Sequence, residues 1–244
     1  MRRVLATLAI AVLTISCAGP SGSAVKSSGA IGSSAGSPAT GASPSSGFSP
    51  PAGAVSIRDG TLKSGTTYAT SHFAVPFTVT IPSDTPDRFW FASSTTLMGA
   101  LEIGNPEVEG SGIGWYLPTG GFDADGNPAA APADFVQWIE DDPQISASRP
   151  RSVTLGGRAA TQIDVAAITE RIPVQPSLCP VQDHCVVVAS TDPDAPLRPL
   201  LIFPGLPQRI IVVELDTGPL LIDIQPGVVR QQAERLIASL QFFS

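Results

Sequence analysis

The sequence predicts an α+β fold: a largely antiparallel β-sheet packed by a few helices, with an amphipathic helix at the C-terminus. Three observations point there. The charged fraction is 14%, well below the ~25% of average domains, while Pro and Gly stand at 24 and 23. That composition, rich also in Val, Ile and Thr, favours strands and loops over long helices. Short alternating or wholly apolar runs, bounded by turn residues, recur from residue 66 onward. Only two segments carry helical periodicity. Strands with few helices between them pair antiparallel, because parallel pairs need long crossovers.

The strands are read in order. Residues 66–71 form a short first candidate. Residues 77–81 (FTVTI) alternate and stop at Pro82. Residues 88–92 and 97–103 follow, then 112–117 (GIGWYL). Residues 152–155 lead into Gly156-Gly157, a pair suited to a tight hairpin turn, and the chain returns along 159–165. Residues 185–189 (CVVVA) read as a short buried run. Residues 199–203 come next, then 209–215 (RIIVVEL). Asp216-Thr217-Gly218 turns that strand into 220–224 (LLIDI).

The first helix is predicted over 132–141 (PADFVQWIED), with Pro132 in its first turn and Pro143 beyond its end. Phe135, Trp138 and Ile139 share one face. The second is predicted over 228–239. Val229, Ala233, Leu236, Ile237 and Leu240 form its apolar stripe, with Arg230, Gln231, Glu234 and Arg235 outside.

The N-terminal part has a different character. Residues 1–17 read as a signal peptide: Arg2-Arg3, then VLATLAIAVLTIS, then Cys17. The apolar stretch is too short to span as a helix, which takes about 20 residues. Residues 18–53 are almost wholly Ser, Gly, Ala and Pro, and such a tract cannot bury enough apolar surface to order itself. The tether is expected to run over 18–60, with an r.m.s. reach of roughly 30–35 Å. A single globular domain is expected over 61–244.

The residues before Cys17, from Leu13 and Thr14 to Ser16, resemble the lipobox of bacterial lipoproteins. Thr14 stands where Leu is commonest. The resemblance implies that Cys17 becomes the first mature residue, carrying a diacylglyceryl thioether with acyl chains such as palmitate. The chain would then be lipid-anchored on the exported face of a cell membrane. Each buried methylene stabilises such an anchor by ~0.8 kcal/mol. The domain itself resembles small exported PsbP-like and LpqN-type lipoprotein domains. The residues that carry this are FTVTIP after the strand at Tyr68, the hairpin VTLGGRAATQIDV, and AERLIASLQFF at the C-terminus. The group implies a fold and a compartment, not an activity.

Lipidation of Cys17 leaves Cys179 and Cys185, an even pair in an oxidising compartment, and predicts a disulfide. Closing that loop of about seven residues stabilises by ~2–2.5 kcal/mol in the chain-entropy account. A metal site of Cys179, His184 and Cys185 lacks a fourth ligand at usable spacing. The spacing is not that of a Cys-x-x-Cys redox motif.

Asp216-Thr217-Gly218 resembles the aspartic-protease signature, but those enzymes need a second such carboxylate; a hairpin turn is the better reading. Asp123, Asp125 and Asn127 place oxygens at alternate positions, as calcium loops do, with Asp134 at the twelfth. Gly126 falls at the fourth position rather than the sixth, which favours a solvated turn. A Ser-His-Asp triad would have to use His72 or His184, the two histidines present. Gly110-Ser111-Gly112-Ile113-Gly114 puts its Ser at the wrong offset for a nucleophile elbow. No phosphate loop or dinucleotide fingerprint occurs, so no cofactor is expected. Trp90, Trp115 and Tyr116 are candidates to line a ligand groove; their alternative is the core.

The net charge is -7, and no basic cluster follows residue 3, which excludes a nucleic-acid footprint. The expected function is a non-catalytic binding or interaction module of the cell envelope. Its partner would be an envelope protein or a small apolar ligand. The alternatives are an exported hydrolase with an unfamiliar site and a structural accessory.

Overall fold

The computed structural model describes residues 49–71, 73, 75–86, 90–95, 100–105, 111–123, 125, 127–168, 179, 185–191, 200–225 and 227–243. The leader, Cys17 and residues 18–48 of the expected tether lie outside the described residues, as do His72 and His184. In chain order the elements are β1 (Val55–Ser56), β2 (Gly60–Leu62), β3 (Thr67–Thr70), β4 (Phe77–Thr80), β5 (Trp90–Thr95) and β6 (Ala100–Gly104). Next come β7 (Gly112–Tyr116), β8 (Gly120–Phe122), β9 (Pro128–Ala130), α1 (Phe135–Asp141), β10 (Ile145–Ala147), β11 (Arg151–Leu155) and β12 (Arg158–Ala167). The chain ends with β13 (Val186–Ser190), β14 (Leu200–Ile202), β15 (Gln208–Leu215), β16 (Gly218–Ile224), α2 (Arg230–Ala238) and β17 (Gln241–Phe242).

These strands make three sheets. The central one orders β10-β12-β15-β16-β7-β6-β5-β2, with β11 also on β12, and is antiparallel throughout. β10 and β11 share one edge of β12. Ala147 pairs with Val165, and Arg151 with Gln162, so the register slips by one residue between them. Pro150 lies in the slip and cannot donate to a ladder. The second sheet is β1-β3-β4-β17, where the short C-terminal strand pairs with β4. The third is β14-β13-β8-β9.

Successive strand residues face opposite sides, and the central sheet uses both. Ile211, Val213, Leu220, Ile222 and Ile224 belong to one core, with Phe77 and Val79 of β4 and Ala233, Leu236 and Ile237 of α2. Ile210, Val212 and Leu221 belong to a second core, with Val186, Val188, Leu200 and Ile202 of the third sheet and Phe135 and Ile139 of α1. Burial on both faces is why RIIVVEL and LLIDI are apolar without alternation. A third, smaller cluster lies on the far side of β13, where Val187 meets Phe122, Cys179 and Cys185.

The antiparallel expectation holds, but the packing differs. Two short helices are described, and sheets cover much of the central sheet's two faces. The sequence reading passed over β1, β2, β8, β9 and β10. They are two or three residues long and rich in Gly, Ala, Pro and Ser, so they carry no period to read. β1 and β2 begin inside the 18–60 span expected to be tether. Ile57 is 6% exposed and its N–H bonds to the Ala69 carbonyl. Both helices also start later than expected. Asp134 caps α1, so Pro132 lies ahead of the helix rather than in its first turn; Val229 is the N-cap of α2, so it leaves the buried stripe and is 51% exposed.

At Gly156-Gly157 the expected hairpin is present, with φ of 55° and 81°. Both central residues of such a turn need positive φ.

Candidate functional site

The three aromatics singled out in the sequence do not line one groove. Trp90 and Trp115 are 0% exposed in the first core; Tyr116 is 7% exposed in the second. Adjacent residues of β7 necessarily point apart. Trp115 meets Phe77 at a ring-centroid distance of 5.8 Å, tying the central sheet to β4. Tyr116 lies back along its own strand: a Cβ at Gly114 would collide with its ring and hydroxyl. Glycine at 114 is therefore what lets the phenol lie flat against the sheet.

Beside that ring is a group the sequence reading passed over. Glu102, Gly114 and Asp223 are register partners across β6, β7 and β16, so both carboxyls share one sheet face with a glycine between them. Asp223 is 2% exposed. Burial pushes its pKa up to about 8, the Glu102 charge adds to the rise, and a hydrogen bond from Gln208 opposes it. Gln208, on the same face of β15, holds this region together. Its Nε2 donates to the Leu201 carbonyl at 2.8 Å and to Asp223 Oδ1 at 3.3 Å, and its Oε1 accepts from Phe203 N–H at 2.9 Å. The Gln208 amide thus completes the backbone pairing of β14 and delivers a donor to the acid. A protonated carboxyl next to a second one is a pattern of acid catalysts. Here it is closed off from substrate. The signal in the sequence is the lone Asp inside LLIDI.

The other candidates find ordinary places. Cys179 and Cys185 form a disulfide, 3% and 1% exposed, against Phe122 and Val187. In the calcium-like segment, Asp123 Oδ1 accepts from Asp125 N–H at 3.0 Å and Asn127 N–H at 2.8 Å. Asn127 Nδ2 donates to the same carboxylate, which closes the β8–β9 turn. Asp134 caps α1 by accepting from Gln137 N–H at 3.0 Å. No group of three or more metal-ligating side chains occurs among the described residues. Asp216 sits in the two-residue turn between β15 and β16, its side chain 88% exposed and 3.4 Å from Arg158. That is a surface hairpin, not a protease dyad.

The surface charge is uneven. Residues 89–148 contain no Lys, Arg or His and nine carboxylates. Exposed acids stand at the β8–β9 turn (Asp123, Asp125) and on α1 (Asp134, Glu140, Asp141). Cations gather where α2 crosses the sheet. There Asp164 accepts from Arg209 at 2.7 Å, with Arg151 and Arg230 at 3.6 and 3.7 Å. The hydrogen bond from Arg209 holds the Asp164 pKa below its usual value. Clefts open at two places that bear on these charges. One, of about 500 Å³, has the Asp84–Arg235 ion pair in its wall. The other, of about 430 Å³, lies between the start of α1 and the β15–β16 hairpin.

No protein-family model and no curated protein matches the chain. Among solved structures, it is similar to a crystal structure from Bacteroides thetaiotaomicron VPI-5482, determined at 1.50 Å. Identity is 12% and the TM-score 0.23, over 69% of this chain and 45% of that one. The chain thus spans less than half the length of the protein it matches.

Proposed function

We propose that this chain is an exported lipoprotein, held at a membrane surface through a lipid on Cys17, and that its domain is a non-catalytic binding module of the cell envelope. One observation carries the reading of the domain: the aromatics that would serve an apolar ligand are sealed in the cores, while the acidic groups stand outside. Trp90 and Trp115 are 0% exposed, whereas the carboxylates of α1 and the β8–β9 turn are at the surface. Such a surface suits an envelope protein better than a small apolar molecule. The address is supported by the leader, by Ser16-Cys17 at its end, and by the Ser/Gly/Ala/Pro tract that follows. A tether of that kind lifts a domain off a bilayer.

The test is fractionation of cells making the full chain or its Cys17→Ala variant, followed by affinity capture from the membrane fraction. Wild type sediments with membranes and is released by detergent; Cys17→Ala leaves the membrane. Equal membrane retention of both would sink the anchor. A captured partner that binds the domain at stoichiometric amounts supports the binding reading.

An exported hydrolase is the second reading, favoured only by the raised pKa of Asp223 beside Glu102. It requires an opening of the third sheet that lets substrate reach Asp223. Asp223→Asn would then abolish turnover of the substrate without loss of fold.

A further inference from the structure

The second face of the central sheet is roofed near Val212 by α1, whose Phe135 and Ile139 share a core with it. A cleft of about 430 Å³ lies where residues 133–136 at the start of α1 face Glu214, Leu215, Gly218 and Pro219 of the β15–β16 hairpin. Val136, Val212 and Pro219 give it apolar sides, Thr161 lies on its floor, and Asp134 and Glu214 bring carboxylates to it. Among the described residues, no cationic one lines it.

Its two acids differ in employment. Asp134 uses Oδ1 to cap α1, which leaves Oδ2 for another donor. Glu214 is exposed, and its carboxylate makes no hydrogen bond or ion pair among the described residues. Carboxylates beside short apolar walls match one kind of side chain. A basic residue lays its methylene stem on apolar surface and carries its charge at the tip. The longer-range field agrees, since the cleft adjoins the stretch 89–148 that has nine carboxylates and no cation. Such a surface draws cationic segments within a Debye length.

We propose that this cleft seats a lysine or arginine side chain presented by a basic segment of a protein partner. The inference rests on reading the domain as a binding module and names the chemistry of what it binds.

The test is an amide-shift titration of the isotope-labelled full chain in detergent. The probe is Nα-acetyl-arginine amide, with the norvaline and glutamate analogues in parallel. The arginine probe is expected to give saturable shifts confined to residues 133–136, 161 and 212–219. The doubly substituted Asp134→Asn, Glu214→Gln chain is expected to bind it about three- to tenfold more weakly, the loss typical of exposed charge pairs. Asn retains the helix cap, and unchanged shifts elsewhere report an intact fold. Equal binding of the norvaline probe would assign the cleft to apolar ligands and overturn the proposal. So would shifts scattered over all the acidic residues, or an affinity unchanged by the double substitution. A partner captured equally by wild type and the double variant removes this cleft but leaves the binding module standing.

Discussion

Asp223 lies in β16 between Ile222 and Ile224, and the residue is 2% exposed. Its pKa of about 8 compares with near 4 in an unfolded chain. Between those values the folded state holds a proton that the unfolded state has released. Its contribution to stability is thus complete below pH ~4, falls as pH rises toward about 8, and levels off above. Asp164 works in the opposite sense and in another window. Its pKa is lowered, by Arg209 foremost, so its contribution is present above pH ~4 and is lost as pH falls through the folded value. Asp223→Asn removes the first effect and still offers Gln208 an acceptor. Urea unfolding midpoints at pH 4, 6 and 8 are expected to fall with pH in wild type more steeply than in the variant, with the two chains closest at pH 4. Parallel slopes would mean that Asp223 is not the group being titrated. The Asp itself is visible in LLIDI, but its partners are not. Glu102 lies more than a hundred residues away and meets it only through register, and Gln208 looks in sequence like an unremarkable strand start.

The helices show what sequence patterns capture at the level of elements and what they leave out. The faces are right: Phe135 and Ile139, and Ala233, Leu236 and Ile237, are buried as their spacing implies. The starts are misplaced because caps are set by side-chain hydrogen bonds. Asp134 is extended, at φ -129° and ψ 100°, and accepts from Gln137 N–H. Pro132 is merely compatible with a helix start. For α2 no cap is legible because none exists: Val229 is extended and gives no side-chain bond to the first turn. At nine residues, α2 is too short to persist alone and draws its stability from packing. Its first-turn donors are a defect that one substitution can repair. Val229→Asp supplies an acceptor and places a negative charge at the positive end of the helix. Because Val229 is 51% exposed, little packing is lost. The expected gain is about 0.5–1 kcal/mol, a rise of about 1–4 °C in thermal midpoint, read by circular dichroism. An unchanged or lower midpoint would show that other groups already satisfy the first turn.

At the scale of the whole molecule, one antiparallel sheet serves two cores, and this governs how the domain comes apart. Strand type was readable from Val, Ile and Leu content. The three-sheet arrangement was not, because nothing local says which apolar run is buried twice and which once. Leu221 and Ile222 make the consequence testable. They are neighbours in β16, both 0% exposed, and they point into different cores. Truncating either to Ala leaves a cavity and is expected to cost about 2–5 kcal/mol. If the central sheet couples the cores, each variant loses stability in a single transition. In a Trp138→Phe background, which removes the indole packed on the second core, the fluorescence of Trp90 and Trp115 in the first core should then coincide with the far-ultraviolet dichroism of all three sheets. Leu221→Ala is the sharper case, since it injures the side away from Trp90 and Trp115. A dichroism loss that precedes the fluorescence change in this variant would mean that the third sheet melts on its own. The central sheet would then be a support for two independent layers, and the opening needed to reach Asp223 would cost far less than global unfolding. Coincident transitions mean that Asp223 is exposed only when the whole domain unfolds, which leaves its carboxyl no part in catalysis on a folded surface.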